Sequence, residues 1–84
     1  MQNQAILEDL LAILENNNVA IRRDAMGGGG GGLCKIKKSS VFFVDTDASF
    51  VESATVCARA VKEIVDIERV YVRPRVRQFL ESLQ

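Results

Sequence analysis

Apolar residues recur at Ile6, Leu7, Leu10, Leu11, Ile13 and Leu14, the three- and four-residue spacing of a helix with one wide buried stripe. The spacing predicts a helix over 3–16 with Asn3 capping its start. Asn16, Asn17 and Asn18 end it, because asparagine accepts the left-handed conformation common at helix C-termini. Val19, Ala20, Ile21, Arg22 and Arg23 then alternate with the two-residue period of a strand, Arg22 facing outward. Beyond a run of glycines, 33–37 and 40–44 read as two strands joined by a polar turn at Lys37, Lys38 and Ser39. So short a link requires antiparallel pairing. Val41, Phe42, Phe43 and Val44 are apolar on both faces, which predicts a central strand.

Ser49 and Glu52 match a capping box, in which serine and a glutamate three residues later satisfy unpaired amides at a helix start. The helix that follows, to about Val65, places Phe50, Ala54, Cys57, Ala58, Val61, Ile64 and Val65 on one face. Residues 69–72 read as a short edge strand. Pro74 suits the first turn of a last helix, whose buried stripe is Val76, Phe79, Leu80 and Leu83. The expected fold is α+β: a small antiparallel sheet of about three to four strands covered by helices. It forms a single domain over 1–84 with a flexible glycine-rich loop at 27–32.

A chain of 84 residues buries only about 60% of the surface its unfolded form exposes, so self-association would add stability. Eleven acidic residues balance eleven basic ones. A net charge of zero provides no field to hold nucleic acid or a membrane surface, and little repulsion against a second copy. The apolar runs are too short to span a bilayer, and the N-terminus lacks the basic start of a secretory signal, so the expected location is cytoplasmic. Cys34 and Cys57 are too few for a disulfide framework, and with no histidine in the chain no metal set is expected. Both cysteines are expected to act as small buried hydrophobes.

The candidate chemistry centres on Gly27, Gly28, Gly29, Gly30, Gly31 and Gly32. Such a run either makes a mobile connection or lets backbone amides approach an anion. A phosphate loop leads through Gly-Lys-Ser/Thr into a helix, whereas Gly32 leads through Leu33 and Cys34 into a strand. The connection is therefore the preferred reading. The alternative is a small-ligand or phosphate site formed by the glycines with Lys35, Asp45 and Asp47. Asp45, Thr46 and Asp47 after an apolar strand resemble, over a few residues, the aspartate motif of haloacid dehalogenase-type phosphotransferases. The large parallel sheet and further acidic, hydroxyl and lysine groups of that chemistry are missing. Asp47 is expected to introduce the helix that begins near Ser49. Arg69, Arg73, Arg75 and Arg77 surround Tyr71, a cluster read as a solvated face with Arg77 paired to Glu81. No histidine is present to act as general base for a serine or cysteine nucleophile.

The order of a leading helix, the strand Val19–Arg22, the glycine-rich segment, Gly32-Leu33-Cys34 with Val41–Asp45, and a capped helix from Ser49 resembles the front part of the ImmA/IrrE-type metallopeptidase domain. In that family the corresponding helix carries His-Glu-x-x-His. Here it reads Ala54-Thr55-Val56-Cys57-Ala58-Arg59-Ala60, so the resemblance implies the scaffold without the zinc site. The segments Gly31-Gly32-Leu33-Cys34, Val41–Asp45 and Tyr71–Arg77 also resemble a small uncharacterised bacterial protein family, which implies one domain and brings no activity. The expected function is that of a small non-enzymatic protein-interaction domain. It would have no cofactor, catalytic residue or metal, and would act as a homodimer or with another protein partner.

Overall fold

The computed structural model describes residues 2–29 and 31–83. Its elements are α1 (Gln2–Asn16), β1 (Val19–Asp24), β2 (Gly32–Ile36), β3 (Ser39–Asp45), α2 (Phe50–Ile64) and α3 (Pro74–Ser82). The fold is α+β with a small three-stranded sheet in the order β1-β3-β2.

The apolar strand β3 is central, and a tight turn with Lys37 at φ 54° joins it to β2 in an antiparallel pair. The sheet as a whole is mixed rather than antiparallel. β1 runs parallel to β3, from Val19 opposite Ser40 to Asp24 opposite Asp45. The connection over 25–31 carries the chain past the end of β3 to the far edge, about 10 Å or two strand spacings away, and the hairpin then returns into the gap.

Local chemistry sets most element ends. Asn18 takes the left-handed conformation at φ 68°, and Asn17 Nδ2 donates to the Ile13 carbonyl at 2.8 Å, satisfying an acceptor that the helix leaves free. Ser49 Oγ accepts from the Glu52 amide at 3.1 Å, and the Ser49 hydroxyl in turn meets the Glu52 carboxylate at 3.3 Å. Pro74 opens α3. Asn3 lies inside the first turn of α1 rather than ahead of it. Residues 69–72 form no strand: Tyr71 and Val72 lie beside Asp9 and Ile13 of α1, away from either sheet edge.

One face of the sheet is covered by α1 lying over β1 and α2 lying over β2 and β3. α3 packs behind, on α1 and α2, and touches no strand among the described residues. Leu7, Leu10, Leu11 and Leu14 meet Phe42, Ala54, Cys57, Ala58, Val61, Val76 and Leu80 in one core. Small residues at 54, 57 and 58 let the two long helices approach closely. Phe50, expected inside, is 45% exposed because it stands at the first turn of α2, beyond the sheet. Cys57 is buried, and burial pushes its thiol up to about 12. Cys34 is exposed, since its position in β2 points to the uncovered face.

Arg23 Nη1 and Nη2 grip the two oxygens of Glu8 at 3.0 and 3.1 Å, tying β1 to α1. The hydrogen bonds from Arg23 hold the Glu8 carboxyl below its usual range. A carboxyl depressed in the folded state contributes stability above its unfolded value and loses it as the pH falls through the folded one. Both side chains are about half exposed, so the contribution is below about 1 kcal/mol. Replacing Glu8 with Gln should leave acid-side unfolding curves shallower by that amount when urea midpoints are compared across pH.

Phe42 is 1% exposed beneath the helices, whereas Phe43 points the opposite way and is only half-buried. Phe42→Ala should cost about 3–5 kcal/mol in urea unfolding. Phe43→Ala should cost less than half of that, because it leaves no enclosed cavity.

Candidate functional site

Strand alternation and register divide the sheet into two faces. Val19, Ile21, Arg23, Leu33, Lys35, Phe42 and Val44 look toward the helices. On the other face, Ala20, Arg22 and Asp24 of β1 flank Val41, Phe43 and Asp45 of β3, with Gly32, Cys34 and Ile36 of β2 beyond them. Among the described residues no helix covers this second face. Ile36 is 53% and Met26 39% exposed on or beside it, and Val41 and Phe43 are half-buried. Met26, Gly29, Gly31, Gly32 and Phe43 line a shallow depression of about 490 Å³.

The glycine-rich loop borders that face and is organised by two carboxylates. Asp45, at the end of the central strand, is 1% exposed. Its Oδ1 accepts from the Met26 amide and from the Asp47 amide, both at 2.9 Å. Asp47 Oδ2 accepts from the Gly27 amide at 2.9 Å. Thr46 donates its amide to the Asp24 carbonyl at 3.0 Å, which extends the parallel pairing past the strand end. Amide donors to an ionised carboxylate are stronger than neutral pairs, and they disperse a charge that burial would otherwise penalise. Asp47 thus tethers the loop instead of capping α2, the role expected for it.

Gly31, just before β2, lies beside β3 so closely that a Cβ there would overlap the Phe43 carbonyl oxygen, and its φ is +67°. Only glycine fits this approach. Gly28, at φ +88°, faces open space. Gly30 lies outside the described residues. The segment is held at Met26 and Gly27 by hydrogen bonds and lies against β3 at Gly31.

Asp45 and Asp47 meet the loop at Met26 and Gly27, but Lys35 does not join them. It stands on the helix side opposite Ser40, toward the hairpin end of β3, and pairs with Glu63 at 3.5 Å. The arginine cluster is paired within the chain. Arg73 and Arg75 share Asp9 at 3.9 and 3.5 Å, and Arg69 meets Asp66 at 3.3 Å. Arg77 bonds the Ile67 carbonyl at 3.0 Å and Glu68 at 3.5 Å, not Glu81, because the turn over 67–69 folds back beside it. Met26 and Phe43 were missed as members of the open face. The two-residue alternation of β1 and β3 carried that signal, but not the choice of face.

Comparison with protein-family models, with curated proteins and with solved structures finds no match.

Gly31→Ala should destabilise the protein by several kcal/mol, since backbone must move to admit the methyl. Gly28→Ala should cost only about 1–2 kcal/mol, for its positive φ. Hydrogen exchange should show the Met26 and Asp47 amides protected and the Gly29 amide fast. Asp45→Ala should abolish that protection.

Proposed function

We propose that this chain is a small non-enzymatic protein-interaction domain that self-associates through the uncovered face of its sheet. The observation that carries the reading is the apolar row Val41, Phe43, Ile36 and Met26 on a face that no helix covers. A sheet with one solvated face ordinarily alternates apolar-in with polar-out. Here two outward positions of the central strand, Val41 and Phe43, are apolar, which is the pattern of a contact surface. Zero net charge leaves a second copy unopposed by long-range repulsion.

A ligand-binding role for the glycine loop has weaker support. The Met26 and Gly27 amides that could greet a phosphate already serve Asp45 and Asp47, and an incoming anion would face those two carboxylates. The accessible Cys34 thiol accords with a reducing, cytoplasmic location. No helix among the described residues is long and apolar enough to cross a membrane.

Sedimentation equilibrium from micromolar to submillimolar concentration tests the reading. The mean mass should rise toward that of a dimer. Val41→Asp or Phe43→Asp should hold it at the monomer value while circular dichroism stays unchanged. A monomer mass for the unmodified chain at every concentration would refute self-association.

A further inference from the structure

We infer that the self-association surface is two-fold symmetric, with Arg22 of each copy paired to Asp24 of the other. The inference rests on the proposed use of the open face and specifies its geometry. Arg22 and Asp24 lie two residues apart on the outward side of β1, both exposed. Neither forms a salt bridge among the described residues, although Arg23 between them is fully engaged with Glu8 on the other face. An unpaired cation and an unpaired anion at this spacing are self-complementary under a two-fold axis that crosses the strands, in the plane between the two packed sheets, at the level of Arg23.

That axis lays β1 over the second copy's β1, running antiparallel, and β3 over its β3. Positions one step before and one step after the axis exchange places, so Arg22 stands over Asp24 of the second copy and Asp24 over its Arg22. In the register of β3, the level of Arg23 is that of Val44, and that of Arg22 is Phe43. The two Phe43 rings therefore meet on either side of the axis, within the offset distance that aromatic pairs prefer. Further out, Val41 of each copy lies over the loop end of the other, where Met26 projects.

Packed sheets stand about 10 Å apart, a gap that an arginine side chain spans. Three strands at about 4.8 Å spacing and about 20 Å long supply a footprint of roughly 300 Å² per copy, below the standard size of specific interfaces. The dimer should accordingly be weak and concentration-dependent. Charge pairs at such a contact set orientation and register more than they add affinity.

A charge-swap experiment on the full chain tests the pairing. Arg22→Asp alone sets two acids against each other at both contacts, and Asp24→Arg alone sets two bases. Each variant alone should weaken dimerisation roughly a hundredfold or more relative to the unmodified chain. An equimolar mixture of the two should recover a heterodimer, because each contact again joins an acid to a base. The double variant Arg22→Asp with Asp24→Arg should recover the homodimer, and circular dichroism of every variant should match the parent. If the unmodified chain dimerises but either single variant does so equally well, this register is wrong and self-association stands. If both single variants are monomeric and neither the mixture nor the double variant recovers, the pairing is refuted. A monomeric unmodified chain overturns both the pairing and the reading beneath it.

Discussion

The carboxylate of Asp45 is the point on which the sheet's topology turns. It sits at the end of the central strand with almost no exposure and takes the amides of Met26 and Asp47. One of these belongs to the loop arriving from β1 and the other to the turn leaving β3. A single buried acceptor thus holds the crossing segment over the strand it crosses. Without that crossing, β1 and β2 would have to be neighbours. With it, β3 has a partner on each side, and the sheet is a mixed one with β3 at its centre. Gly31 is the steric counterpart of Asp45, since the loop can lie against the Phe43 carbonyl only where no side chain intervenes.

This arrangement leaves the helices on one side. α1 and α2 take the face presented by Phe42 and Val44, and α3 closes the back of the helical layer without reaching the sheet. All the large enclosed apolar side chains are therefore spent in one core. The opposite face keeps Val41, Phe43 and Ile36 without cover from the fold itself. The polar members of the face, Arg22 and Asp24, form no salt bridge among the described residues, in contrast to Arg23, which is committed to joining β1 to α1.

The glycine run serves architecture better than chemistry. The Gly27 amide and the Met26 amide just before the run are directed to acidic side chains of the same chain, the reverse of the electrostatics that an anionic ligand requires. Cys57, buried against the helix pair with its thiol pushed up to about 12, is equally remote from nucleophilic use.

Local periodicity was enough to identify both long helices, all three strands, the Ser49 cap, the asparagine stop, Pro74 and the central place of Val41–Val44. These features depend on residues within one turn or one strand of each other. The same periodicity could not choose which side of β3 the helices would cover. Phe42 and Phe43 are adjacent and chemically identical, and only contact with Leu10, Ala54 and Val61 separates a core ring from a surface one. The parallel pairing of β1, the exposure of Cys34, the absence of a strand at 69–72 and the tethering role of Asp45 and Asp47 were likewise decided by tertiary structure. Each depends on a meeting of residues far apart in the chain, such as Met26 with Asp45 or Tyr71 with α1, whose separation in sequence leaves no periodic trace.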